Sequence, residues 1–158
     1  MNPFPSAPVK SAGQATVYSI PELDPATALV NGKTRSQSAL RTEHSMMVFL
    51  ASQPAAPIHG EHNHPHDQMI VVLKGAMIVT IEGVEHEVRA GSAIVIPALA
   101  FHTAWAIGNE ACSRIEMFAP VRQDFVPLTA HQTETFATPA VPWFREGATT
   151  WTDKPADK

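Results

Sequence analysis

From residue 36 onward, short apolar stretches follow one another at close intervals, some alternating with polar residues and some continuous. "SQSALR" and "SMMVFLA" flank "TEH", and "APIHGEHNH" follows "SQP". "QMIVVL" and "AMIVTIE" flank "KG", and "HEVRA" follows the turn "GVE". "SAIVIP", "FHTAWAI" and "CSRIEMFAP" come next, the last two joined by "GNE". About nine short strands with turn signals roughly every 8–12 residues predict an all-β sandwich or barrel. Before residue 127 no helical period of useful length appears.

The two ends read differently. Residues 1–34, rich in Pro, Ala and small polar residues, are expected to form an N-terminal arm with at most one short strand at "ATVYSI". Residues 35–126 would be the barrel and residues 127–158 an irregular C-terminal extension. Trp143, Phe144 and Trp151 in that extension are expected to cover the barrel or a second subunit rather than stand in water.

Composition sharpens this without redirecting it. A chain of 158 residues, 44% hydrophobic and 16% charged, suits one folded domain with a real core. Fourteen prolines favour strands and turns over long helices. The net charge is −4 and the 11 basic residues are scattered, so no nucleic-acid footprint is present. Cys112 is the single cysteine, which excludes an internal disulfide and favours a reducing, cytoplasmic setting. The opening segment has neither the charged nor the apolar region of a secretion leader. The longest apolar run, "SAIVIPALAF", is too short to span a membrane, so a membrane partner is not expected.

Histidines supply the candidate chemistry. "HGEHNHPHDQ" holds four of them between residues 59 and 66. On a strand, residues two apart face the same way, so His62 and His64 can reach one ion together. Pro65 then ends the ladder, because it has no N–H to donate. Gln68 opens the next strand with Ile70 and Val72 on its face, at the place where a carboxylate ligand would be the obvious choice. His102 begins a later strand, after an apolar run that should carry it into the interior. His59 is expected on an approach loop and His66 in the turn, facing substrate or supporting the site. His44, His86 and His131 read as surface or structural residues. In "CSRIEMFAP", alternation puts Cys112, Arg114, Glu116 and Phe118 on one face. That face could be functional, or it could be a structural Arg114–Glu116 pair with Phe118 in the core.

These strings resemble the cupin superfamily. "HNHPHDQMIVVLKG" is similar to the first cupin motif, H-x-H followed by Glu and then Gly, with His62, His64 and Gly75 in register and Gln68 at the Glu position. "GSAIVIPALAFH" is similar to the second motif, with Gly91, Pro97 and His102 in place, but with Leu99 where the motif has Gly. Ala106 stands where the motif often ends in Asn. "HNHPHDQ" with "FAPVRQDF" further resembles the small cupins of pectin and alginate breakdown that linearise unsaturated uronates, over about residues 32–126. That resemblance implies a cupin-type double-sheet (jelly-roll) β-barrel holding one divalent transition metal (Zn, Ni, Mn or Fe) on His62, His64, Gln68 and His102. It also implies a catalytic acid at Glu116, where the family typically carries Asp, and substrate binding by Arg122 with Phe118 beside it.

A ligand set of three neutral histidines and an amide leaves the ion's charge uncompensated, so an acidic small molecule is the expected substrate. The expected reaction is metal-assisted proton transfer on an acidic sugar or a keto/enol acid. An Fe(II)-dependent dioxygenase and a non-catalytic sensor barrel are the alternatives. A homodimer is expected from the apolar arms.

Overall fold

The computed structural model describes residues 16–18, 29–30, 33–57, 60–134, 136 and 152–153. Eleven strands occur among them: β1 (Leu29–Val30), β2 (Lys33–Arg41), β3 (Met46–Ser52), β4 (His62–Asn63), β5 (Asp67–Lys74), β6 (Ala76–Ile81), β7 (Val84–Arg89), β8 (Ala93–Ile96), β9 (His102–Ile107), β10 (Cys112–Ala119) and β11 (Thr152–Asp153). A 3-10 helix, Gln123–Thr129, follows β10. The strands form two antiparallel sheets, ordered β1-β2-β3-β10-β5-β8 and β11-β4-β9-β6-β7. This is the all-β architecture expected from the spacing of the apolar runs, in the double-sheet jelly-roll form that the cupin resemblance implies.

Each inner strand shows why its sequence takes this form. In β10 the residues at even positions, Cys112 to Phe118, are all buried, while Ser113, Ile115 and Met117 are only partly so. In β5 the same period buries Gln68, Ile70 and Val72. Both strands thus present to the interior the faces that alternation assigned them. Ile70, Val72, Met77, Val79, Val88, Ile96, Ala106 and Cys112 make one apolar core. A second core, of Ala39, Met46, Val48, Leu50, Phe118 and Val121, is packed over by Phe125, Val126 and Leu128 from the 3-10 helix. The Gln132 side chain joins this end to the sheet by accepting from the Arg41 backbone N–H at 2.7 Å and donating to the Arg41 carbonyl at 3.1 Å.

At the β5–β6 turn Gly75 has φ +74°, and a Cβ there would meet the Ala111 carbonyl oxygen at 2.8 Å. Glycine is required on both counts.

The structure departs from the sequence reading in three places. Among the described residues "APIHGEHNH" contributes only the two-residue β4, and its Pro57 has no N–H for a ladder. "SAIVIP" is not a buried run: Ala93 and Val95 are exposed, Val95 to 62%, because β8 is an edge strand whose outer face nothing described covers. Residues 16–18 of "ATVYSI" are not in a strand, and the rest of that stretch lies outside the described residues. His59, Trp143, Phe144 and Trp151 also lie outside them.

Candidate metal centre

His62 on β4 pairs directly across the ladder with His102 on β9, which brings their rings to 4.5 Å between centroids. His64, one residue past the end of β4, adds a third ring 4.8 Å from that of His102. The candidate ligand nitrogens of these three buried residues all lie within 4.8 Å of one another. Gln68 reaches the cluster from the other sheet, where it pairs with Phe118 and Ile96.

Backbone carbonyls orient each ring. The Nδ1 of His62 faces the Gly60 oxygen at 3.2 Å, that of His64 the His66 oxygen at 3.1 Å, and that of His102 the Ala100 oxygen at 2.9 Å. With Nδ1–H donating, the lone pair sits on Nε2 in all three. This is the arrangement that second-sphere carbonyls impose on metal-binding histidines. The turn before β9 is stitched to β4 as well: the Leu99 N–H donates to the His64 carbonyl at 2.9 Å, and the Asn63 side-chain amide donates to the Leu99 carbonyl at 3.1 Å. Leu99 itself has φ +68°, so it occupies the left-handed conformation for which the second motif uses Gly.

The donor set fits a cation. Burial, then the charges of Arg122, His102 and His66, holds the His64 imidazole down at about 2, against a lesser upward pull from Gln68. His64 is therefore neutral and carries one ring proton. Yet its Nδ1 faces the His66 carbonyl at 3.1 Å and its Nε2 faces the Gln68 Oε1 at 3.1 Å. One proton cannot serve two acceptors. Turning the amide does not help, because its nitrogen donates to Glu116 Oε2 at 3.1 Å and its oxygen would then face a carboxylate. A lone pair and a carbonyl oxygen are left facing each other, which a cation between them resolves. Atoms that ligate one ion at ~2.1 Å stand roughly 3.0–3.4 Å apart, which covers the His64–Gln68 separation. His102 is also depressed by burial, against upward pulls from the Ala100 carbonyl, Glu116 and Glu61 that exceed the downward one from Arg122.

Glu116, hydrogen-bonded to Gln68, links this cluster to a polar network beyond it. Arg114 Nε donates to Glu116 Oε1 at 2.7 Å, and Arg114 Nη1 donates to Ser52 Oγ at 2.9 Å. The Arg114–Glu116 pair is buried at both ends. Arg122 is buried to 3% exposure, and both its Nε and its Nη2 donate to the Asp124 carboxylate. Its guanidinium carbon lies 5.0 Å from the Phe118 ring centre and 4.2 Å from that of Phe125. Phe118 in turn meets the edge of His64 at 5.8 Å. His66, the fourth histidine of the string, is wholly buried, and neither ring nitrogen has a well-formed hydrogen bond. Burial and then Arg122 bring it down to about 4, with Asp124 and a looser contact to the Val121 backbone pulling the other way.

The structure thus gathers His62, His64, Gln68, His102 and Glu116 in one place, with Phe118, Arg122 and His66 on one side of it. Asp124 and Phe125 were missed by sequence reasoning. The "RQDF" string contains both, and an Arg two residues before an Asp was a usable signal for a local pair. His44 and His86 are exposed, as expected. His131 packs edge-on against Tyr18, a structural setting.

A double-sheet barrel with a buried three-histidine cluster between its layers defines a class of metal-binding β-barrels. Residues 48–118 match the Cupin domain family. Those residues form a cupin domain. KdgF from Halomonas sp. has a similar structure, with a TM-score of 0.54 at 29% identity over 63% of this chain and 89% of that one. An RmlC-like cupin from Shewanella frigidimarina gives 0.53 at 26% identity, over 63% of this chain and 86% of that one. Dimethylsulfoniopropionate lyase DddW from Ruegeria pomeroyi is 33% identical over 79 residues, 50% of this chain and 52% of that protein. The chain therefore spans about half the length of that curated relative.

Proposed function

We propose that this cupin is a metal-dependent enzyme acting on a small acidic sugar, of the unsaturated-uronate type, by proton transfer without redox change. The observation that carries the reading is the charge balance of the site. As ligands the histidines and Gln68 bring no charge, Arg114 offsets Glu116, and Asp124 offsets Arg122. A dication held there would keep its charge uncompensated by these groups, so a carboxylate-bearing ligand is the natural complement. DddW, by its name, also acts on a carboxylate-bearing substrate.

When bound on His62, His64, Gln68 and His102, a divalent ion supplies Lewis-acid polarisation of substrate oxygens. The other residues divide the remaining work. Glu116, paired with Arg114 at 2.7 Å, is the group placed to accept a proton from the anomeric hydroxyl. Glu116 then delivers it to the ring oxygen or enol carbon, as ring opening and ketonisation require. Phe118 walls the site beside His64. Arg122 would bind the substrate carboxylate by exchanging its bidentate hold on Asp124 for one on the substrate. His66, buried beside Arg122 with unsatisfied nitrogens, is a further contact for a polar substrate group.

The test is incubation of metal-loaded protein with an unsaturated uronic acid under anaerobic conditions. The ring form should disappear faster with enzyme than without, and Glu116→Gln should lose nearly all of that rate with the metal still bound. Oxygen uptake in step with substrate loss would replace this reading with a dioxygenase, for which three-histidine sites are also suited. A fully metallated but inert protein would leave a binding barrel.

This reading places the enzyme in the cytoplasm, with Cys112 buried and unoxidised. Among the described residues no helix is long and apolar enough to cross a membrane. It also takes the working form to be a homodimer, which the exposed apolar outer face of the β3-β10-β5-β8 sheet supports. There Met47, Met117, Met69 and Val95 stand in one row across four strands.

A further inference from the structure

We infer that Glu116, besides any proton it moves, is a positioning residue that fixes which way the Gln68 amide points. The inference rests on the reading of the cluster as a metal centre. Gln68 is chemically two-faced: its oxygen can ligate a cation and its nitrogen cannot. The two faces are nearly the same shape, so packing alone does not choose between them. Glu116 chooses. Its Oε1 is committed as the acceptor for Arg114 Nε at 2.7 Å. Its Oε2 therefore accepts from the Gln68 Nε2 at 3.1 Å, and the Gln68 Oε1 is turned to His64 Nε2 at 3.1 Å. The chain Ser52–Arg114–Glu116–Gln68 is a line of donors and acceptors running across three adjacent strands, β3, β10 and β5, and ending at the metal face.

The same line accounts for the amide at position 68. A carboxylate there would set two acceptors against each other where Gln68 now donates to Glu116. Gln68 and Glu116 form a complementary pair, one member donating and the other accepting.

Full-length protein is titrated with Co²⁺, and affinity is read together with the d–d absorption, which reports the ligand set. Wild type should take up one Co²⁺ per chain. Removing the acceptor and its counter-ion together, as Glu116→Leu with Arg114→Met, avoids a buried unpaired charge. That pair should lower Co²⁺ affinity about 10–100-fold and shift the absorption as Gln68→Ala does. Adding Gln68→Ala to it should cost little more, because the two changes act on one contact. Glu116→Gln with Arg114→Met should restore both affinity and spectrum, since with no guanidinium competing for it the amide oxygen can accept the same bond. A second comparison does not depend on the Leu/Met pair folding. Gln68→Glu alone should bind Co²⁺ less tightly than the exchange Gln68→Glu with Glu116→Gln, which rebuilds a donor–acceptor pair. Wild-type affinity and spectrum in the Leu/Met pair, losses that simply add, or a Gln68→Glu variant that binds as well as the exchange would each overturn the inference. Wild type that takes up no Co²⁺ overturns the metal reading itself, a different failure from any of these.

Discussion

Leu99 shows what a single residue can conceal. Its φ of +68° puts an L side chain where glycine is at ease, and the turn is held by hydrogen bonds to His64 and from Asn63. Leu99→Gly should relieve the backbone and raise unfolding stability by roughly 0.5–1 kcal/mol in urea denaturation, with metal affinity retained. A loss of stability would mean that the leucine side chain is earning its place by packing. Arg122 is a second such case. Stacked against two rings and held by Asp124, it should cost about 2 kcal/mol of stability on replacement by Ala, quite apart from any rise in KM. A KM effect alone, with an unchanged denaturation midpoint, would make it purely a substrate contact. The histidine spacing was readable because strand period and ligand chemistry point the same way. The engagement of Arg122 by Asp124 was not, because guanidinium specificity for a substrate or for a neighbour leaves the same letters. The meaning of Gln68 was half readable. Charge alone would let Glu replace it with the ion held as well or better, and only the register of β10 against β5 reveals the carboxylate facing it.

Strand β10 was the most legible element and β4 the least. Alternation alone gave β10 its inner row, Cys112, Arg114, Glu116 and Phe118, and the burial pattern follows that row without exception. β4 is two residues long, so its place rests on the cross-strand pairing of His62 with His102, a long-range contact that no local pattern encodes. The apolar run of β8 misled for a related reason: a continuous apolar stretch reads as doubly buried, whereas an edge strand can leave one side uncovered. The β5–β6 turn yields a sharp prediction. Gly75→Ala combines a positive φ with a contact of 2.8 Å to a carbonyl oxygen, so destabilisation should reach about 2 kcal/mol or more by thermal or chemical unfolding. A smaller change would show that the Ala111 loop yields easily.

For the whole molecule, the outer sheet face, which no other described element covers, is the feature that most needs an explanation. Met47, Met69, Leu73 and Val95 are 40%, 42%, 57% and 62% exposed, more contiguous apolar surface than an isolated small barrel gains from showing water. Sedimentation at tens of micromolar should give a dimer, and Met69→Lys with Val95→Lys should give a folded monomer; a monomeric wild type would remove the dimer from the proposed function. The candidate ligands themselves come from both layers, His62 and His102 from one sheet and Gln68 from the other. Whatever ion they share is then a rivet between the two halves of the sandwich, absent from the unfolded chain. Its affinity becomes folding free energy, about 2.7 kcal/mol when free metal stands at a hundred times its Kd. The melting temperature should thus rise with added metal and fall with a chelator, and His102→Ala should erase that dependence. A cell short of the ion would hold a looser barrel, so the supply of metal would set the lifetime of the protein as well as its chemistry.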